Sequence, residues 1–204
     1  MKNVLVLGGT GFVGRHVCEK LHREGWHITV PTRHARKAAL VQHLPRVTVI
    51  EADVHDARAL AGLMQGQQAV VNLIAILHGS EAAFDRVHVG LPRSIAQACR
   101  SAGVRRLVHI SALGVATDGP SRYQRSKARG EDALRAADLD LTVLRPSVIF
   151  CAGDRFLNLF ARMQAVAPVV PLAGADARFQ PVWVEDVATA VAASLRDDAA
   201  GRGT

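Results

Sequence analysis

Val4-Leu5-Val6-Leu7-Gly8-Gly9-Thr10-Gly11-Phe12-Val13-Gly14 begins three residues into the chain. Four consecutive aliphatic residues predict a strand covered on both faces. Val13, Val17 and Leu21 then recur on one side of a helix, and Gly25 stands where a helix C-terminus belongs. The turn between strand and helix carries Gly8, Gly11 and Gly14 in a G-x-x-G-x-x-G spacing. A sharp strand-to-helix turn, close approach of backbone to a pyrophosphate and tight packing of helix on sheet each favour a missing Cβ. The helix N-terminus adds free amides and the positive end of a dipole. A glycine triplet alone would be weak. Between a first strand and a first helix it points to dinucleotide binding, with Thr10, Phe12 and Val13 completing the expected contact set.

Outward from that turn the pattern repeats. Val4–Leu7, Ile28–Thr32, Val47–Glu51, Ala69–Ile74, Leu107–Ser111 and Leu141–Leu144 are short apolar runs, and amphipathic stretches separate them. Ile95, Ala98, Cys99 and Ala102 share a face of one such stretch, followed by Gly103. Six such units in series predict an α/β fold, a doubly wound Rossmann-type parallel sheet. The character changes after Leu144: Arg145-Pro146-Ser147, a Gly153-Asp154 turn, a helix-like run over 156–166, the Pro168–Pro171 stretch, and a last helix over 185–195. The expected organisation is a dinucleotide-binding domain over 1–150 and the start of an incomplete C-terminal substrate lobe over 151–204.

Composition narrows the classes. With 204 residues, 49% hydrophobic and 21% charged, the chain can bury a core, and intrinsic disorder is excluded. The longest apolar run, Ala69–Leu77, contains Asn72 and falls far short of the ~20 residues of a membrane span. The start is too short in apolar residues for a secretion signal. Cys18, Cys99 and Cys151 are odd in number and widely spaced, which fits neither a disulfide framework nor a zinc site. A cytoplasmic, reducing location is therefore expected, and no metal. Cys151 is either a reactive thiol or, the reading preferred here, a small buried hydrophobe. Net charge is +7, but the arginines are scattered and aromatics make up only 4%, which argues against a nucleic-acid partner.

Two further features carry chemistry. The second strand ends Pro31-Thr32-Arg33-His34 and continues Ala35-Arg36-Lys37, without a carboxylate. An acidic residue there would hold the ribose 2′-hydroxyl of NAD, whereas Arg33 suits the 2′-phosphate of NADP, so NADP(H) is favoured over NAD(H). The one tyrosine of the chain, Tyr123, stands four residues before Lys127. On a helix the two share a face, and an ammonium beside a phenol should lower its pKa toward the range of a general acid/base. Ser111, at the carboxyl end of the fifth strand, could hydrogen-bond a substrate carbonyl, or simply sit in a turn.

In order along the chain come GGTGFVG, Asp53-Val54, VVNLIA, HISALG, YQRSK, LRPSVIF and QPVWVEDVA. On these motifs the chain resembles the short-chain dehydrogenase/reductase superfamily, in its extended or atypical branch, over nearly its whole length. RVHVG, SRYQRSKARGE and GDRFLN make it most similar to the group that includes the nucleotide-binding accessory subunit of respiratory complex I and its bacterial epimerase/dehydratase-like relatives. The resemblance implies a pyrophosphate turn at Gly8, Gly11 and Gly14, a 2′-phosphate contact at Arg33 and adenine contacts at Asp53 and Val54. It implies a ribose-lining segment at Asn72, Leu73 and Ile74, and Pro146 beside the nicotinamide. Tyr123 would be the catalytic acid/base, and Lys127 would bind the nicotinamide ribose and lower the phenol's pKa.

Three departures accompany it. His88 stands where active members often place an Asn, Ser111 and Tyr123 are only twelve positions apart, and Cys151-Ala152 replaces a common Gly-Pro. The first two bear on turnover and leave cofactor binding intact. The resemblance thus implies an NADP(H)-dependent oxidoreductase acting on an unknown small carbonyl or hydroxyl substrate. Its alternatives are a non-catalytic NADP(H)-binding accessory or assembly protein of a respiratory complex, peripheral to the inner membrane, and a nucleotide-sugar epimerase/dehydratase.

Overall fold

The computed structural model describes residues 2–152, 154, 157–166 and 178–196. In chain order, β1 (Asn3–Leu7) leads to α1 (Phe12–Arg23), β2 (His27–Thr32), a 3-10 helix (Ala35–Leu40), β3 (Val47–Glu51), α2 (Ala57–Met64) and β4 (Ala69–Asn72). Next, α3 (Glu81–Asp85) passes through a π-helical turn (Arg86–Gly90) into α4 (Leu91–Ala102). β5 (Arg106–Ile110), α5 (Arg122–Arg135) and β6 (Asp140–Leu144) follow. The last elements are β7 (Ile149–Phe150), α6 (Leu157–Val166), β8 (Val182–Trp183) and α7 (Val184–Arg196). The six expected strands lie within two residues of their anticipated ends. The proline-rich expectation at 168–171 falls outside the described residues.

All six long strands run parallel in the order β3-β2-β1-β4-β5-β6, and β7 pairs with β8 in a separate parallel ribbon. Val4 is in register with Ile28 on one side and Ala69 on the other. The winding direction therefore reverses between β1 and β4, and a crevice opens there beyond the carboxyl ends of the strands.

Period-two alternation divides the core. Val4 and Val6 face the layer formed by α1 and α7, packing with Val17, Leu21, Ala188, Val191 and Leu195. Leu5 and Leu7 face α2 and α4, packing with Leu60, Met64, Leu91, Ile95 and Cys99. Burying one such aliphatic side chain contributes about 1.5–3 kcal/mol. Two-sided cover holds for β1, β4 and β5. It fails at β3, where Thr48, Ile50 and Glu51 are exposed, and at β6, which is half-buried throughout, because these two strands are the sheet's edges.

One buried cation ties the far side together. Arg106, on β5, donates to the Asp140 carboxylate (2.9 Å), the Thr142 hydroxyl (2.7 Å) and the Ser194 carbonyl, so β5, β6 and α7 share one anchor. Cys18 and Cys99 are buried, whereas Cys151 is only half-buried, unlike the core hydrophobe preferred from the sequence. Among the described residues no helix is long and apolar enough to cross a membrane, and no three His, Cys, Asp or Glu side chains are placed to hold a metal.

Candidate functional site

The turn between β1 and α1 is built around missing Cβ atoms. Gly8 has φ +86°, a left-handed backbone, and a Cβ there would lie 3.2–3.3 Å from Ile74 and Leu73. A Cβ on Gly14 would stand 2.2 Å from the Gly8 carbonyl oxygen and 2.6 Å from the Gly9 Cα. The Gly11 amide donates back to the Gly8 carbonyl (2.9 Å), and Gly11 enters α1 in an extended conformation. No side chain caps α1 and no acidic residue occupies its first turn. The amides of Phe12, Val13 and Gly14 are among the orphan donors of a helix start, so this end offers positive potential to an anion. Thr10, Phe12 and Val13 are half-buried around it, and the Arg15 guanidinium lies 5.8 Å from the Phe12 ring. The missing Cβ at Gly14 lets α1 pack directly on the turn, which leaves the uncapped amides at its start free to face an anion such as a diphosphate.

Across the crevice, Leu73 donates its amide to the Leu7 carbonyl (2.9 Å), and Asn72 Oδ1 accepts the Ile74 amide (3.2 Å). The segment Asn72–Ile74 is thereby clamped over the glycine turn. At the other end of the crevice Arg33 and Asp53 are exposed, and Val54 is buried in the core beneath them. The Asp53 carboxylate accepts the His55 amide (3.0 Å) and shapes the exit from β3. His55 is held below the usual imidazole range by burial, then by the charge of Arg86, with Asp53 opposing and Arg33 reinforcing. Arg33 therefore shares its corner with Arg86, from the π-helical turn, a second cation that the sequence reading did not find.

The acid–base cluster is gathered on α5. Ser121 and Gln124 form a reciprocal capping box that starts the helix just before Tyr123. Tyr123 packs edge-on against His88 (5.5 Å between ring centres) and Phe84 (6.4 Å). Lys127 is fully buried, and its Nζ donates to the Ile110 carbonyl at the end of β5 (2.7 Å). Burial lowers that ammonium to about 8, with Glu131 opposing. The Tyr123 phenol is pushed up by burial, the reverse of the lowering expected from Lys127. The phenol's own burial is the cause, and the ammonium, itself weakened by desolvation, donates to a backbone carbonyl.

His88 is the residue whose role the sequence left open. Its Nε2 accepts the Ile76 amide (3.1 Å), so Nδ1 carries the proton and donates to Ser126 Oγ (2.8 Å); Ser126 donates onward to the Tyr123 carbonyl (2.9 Å). Burial, helped by Lys127, lowers the imidazole to about 4, which fits this neutral tautomer. Beneath it, Asn72 Nδ2 donates to His109 Nδ1 (3.1 Å), an imidazole lowered to about 3 by burial. The π-helical turn that carries His88 also meets α5 closely: a Cβ on Gly130 would stand 1.9 Å from the His88 carbonyl oxygen.

Ser111 is buried and faces α5, where it helps to lower the Glu131 carboxyl, although among the described residues no partner meets full hydrogen-bond geometry with its hydroxyl. Burial pushes Glu131 up, but hydrogen bonds from Arg145 (3.0 and 2.6 Å) and the charges of Arg145 and Arg135 hold it below the usual carboxylate range. Pro146 is half-buried, and its carbonyl accepts the Leu113 amide (2.9 Å). This pairs the loop after β6 with the loop after β5. The structure thus brings Tyr123, Lys127 and His88 together and sets the Ser111 hydroxyl toward Glu131.

A family described as NAD(P)H-binding matches residues 8–198. The chain belongs to that family. The sheet order is that of a Rossmann domain. Among curated relatives, subunit 9 of the NADH dehydrogenase [ubiquinone] 1 alpha subcomplex, mitochondrial, of Mus musculus is 37% identical over 208 residues, covering 97% of this chain and 54% of the relative. A ceramide reductase of Caulobacter vibrioides is 33% identical over 200 residues, covering 97% of this chain and 62% of the relative. The chain thus spans little more than half the length of these relatives. Of solved structures, a dTDP-glucose 4,6-dehydratase of Streptomyces venezuelae with NAD bound aligns at a TM-score of 0.85 and 25% identity, over 97% of this chain and 73% of that one. These likenesses agree with membership of the extended short-chain dehydrogenase/reductase branch.

Proposed function

We propose that this chain is an NADP(H)-dependent oxidoreductase of short-chain dehydrogenase type, acting on a carbonyl or hydroxyl substrate. The observation that carries the reading is the Tyr123–Lys127 pair on α5, one helical turn apart, with Lys127 fastened to the end of β5. That places the pair beyond the carboxyl edge of the sheet, where the dinucleotide cradle also opens. When bound, the nicotinamide supplies or accepts the hydride.

The remaining work belongs to the protein. The α1 amides hold the pyrophosphate, and Arg33 takes the 2′-phosphate. Asp53 and Val54 border the adenine, while Asn72, Leu73, Ile74 and Pro146 border the ribose and nicotinamide. Tyr123 gives its proton to the carbonyl oxygen, or takes one from the hydroxyl, and Lys127 supports the resulting charge. Ser111 orients the substrate oxygen once its hydroxyl turns from Glu131. In this reading residues 1–150 are the dinucleotide domain and 151–204 begin the substrate lobe of a cytoplasmic protein, with α7 of that stretch packed back onto the first domain's core.

A second reading has its own support: a non-catalytic NADP(H)-binding accessory protein of a respiratory complex. The phenol is raised by burial, the ammonium is committed to a backbone carbonyl, and the mouse relative is a subunit of an NADH dehydrogenase. A cofactor that binds only the folded state stabilises it by about 2.7 kcal/mol at a hundredfold excess over Kd, enough for a structural role. The deciding experiment gives purified protein NADPH together with a panel of carbonyl and quinone substrates. NADPH consumption that vanishes in Tyr123→Phe supports the enzyme. Tight binding of NADPH without consumption supports the accessory role.

A further inference from the structure

Cys151 lies in the loop after β7, outside the dinucleotide and acid–base groups. Its Sγ is 3.8 Å from His16 Nε2, on α1, and His16 Nδ1 is 2.5 Å from the Glu185 carboxylate, on α7. Arg15 Nε–H also points at His16 Nε2 (3.2 Å). A guanidinium can only donate, so Nε2 carries the lone pair and Nδ1 carries the proton given to Glu185. That lone pair faces both the Arg15 N–H and the thiol, and a carboxylate orients the ring from behind, so the imidazole takes the thiol proton when the Arg15 contact is given up, in the nucleophile–base–orienter arrangement of activated thiols.

The loop is braced as well. The Cys151 carbonyl accepts the Asp154 amide (3.0 Å) and the Asn158 side chain (3.2 Å). The side chains of His16 and Glu185 are 18% and 37% exposed, and Cys151 is half-buried. The other two cysteines provide an internal contrast. Cys18 and Cys99 are fully buried, and burial pushes their thiols up to about 12 and about 11.

We propose that Cys151 is a thiol–disulfide exchange site, served by His16 as base, for low-molecular-weight disulfides of the glutathione class. The Cys151 S–H proton passes to His16 Nε2. The thiolate attacks one sulfur of the disulfide, a new S–S bond forms as the old one breaks, and the departing thiolate takes the proton from His16. Cys151 is oxidised and the departing sulfur reduced, so the exchange needs no other oxidant.

The test incubates the folded full chain with glutathione disulfide near pH 7 and locates adducts by peptide mass. A synthetic peptide of residues 147–154 sets the rate of the same thiol without His16. The expected result is a single adduct, at Cys151, forming at least about tenfold faster than on the peptide. His16→Gln should bring the rate down to the peptide's and remove the imidazole inflection from its pH profile, and Glu185→Gln should fall between. A wild-type rate equal to the peptide's, or a folded His16→Gln variant that keeps the wild-type rate and profile, overturns the proposal. Calorimetry with NADPH on the same samples reads dinucleotide binding separately, so the thiol site and the proposed function can fail independently.

Discussion

The glycine turn draws its shape from seven consecutive residues, Gly8 to Gly14, whereas the cluster around Tyr123 is assembled from α5, the π-helical turn, β5 and the loop after β4. In the cradle the working groups are amides, and the side chains matter chiefly by being absent. In the cluster the working groups are side chains whose tautomers and directions are set by buried hydrogen bonds. The first should be intolerant of added atoms and indifferent to pH. The second should tolerate single deletions structurally and respond strongly to protons.

The largest effect that tests this contrast is kinetic. Tyr123→Phe should lower turnover by about 10²- to 10⁴-fold while leaving the Kd for NADPH, by calorimetry, within a factor of about two of wild type, since the phenol lies outside the cradle in the sense of the oxidoreductase reading. Parallel loss of affinity would break the division into two halves. Gly14→Ala should do the opposite. Its methyl would meet the Gly8 carbonyl oxygen at 2.2 Å, so NADPH affinity should fall by about a hundredfold or more and thermal unfolding should report about 1–3 kcal/mol of overpacking. Unchanged affinity would show that the turn can yield.

Acid stability comes next in size. His88 and His109 are lowered to about 4 and about 3, against an ordinary value of 6.5. Between these values the unfolded chain binds protons that the folded chain refuses, so stability is full above pH 6.5 and declines as pH falls toward 4. At pH 5 the loss should be about 2 kcal/mol for each imidazole. Denaturant unfolding at pH 7 and pH 5 measures it, and His88→Gln should remove roughly half of the difference. A pH-independent midpoint would sink the buried neutral tautomers. The smallest effect is at the adenosine end: Arg33→Asp should weaken NADPH by about tenfold and NADH hardly at all. Equal losses would take Arg33 out of cofactor selection.

These two halves were unequally legible in the sequence. The strand pattern, the glycine turn and the Tyr123–Lys127 spacing are local, and periodicity or a short motif reports them directly. Val4–Leu7 and Val70–Val71 need nothing beyond runs of aliphatic residues. The chemistry of Lys127 was not legible, because its partner is a backbone carbonyl seventeen residues away. The same holds for the bond from Ile76 to His88, for the Glu131–Arg145 pair, and for His16 with Glu185, 169 residues apart. Such pairs leave no period, and desolvation, which turned the phenol's shift from down to up, depends on burial that no single residue announces. In RVHVG His88 is only a departure from the pattern; its tautomer is fixed by the Ile76 amide opposite it.

Gly130 sets how closely α5 meets the π-helical turn. With the His88 carbonyl oxygen 1.9 Å from where its Cβ would be, α5 is seated against the π-helical turn like a shaft in a notch. A methyl group at that notch would lift the helix, and the displacement would be felt seven residues earlier, at the phenol. The alignment of the proposed proton donor thus has its mechanical stop at a residue that touches no substrate. Sequence drift there would misalign the reaction while every reacting group stayed in place in the alphabet of the chain.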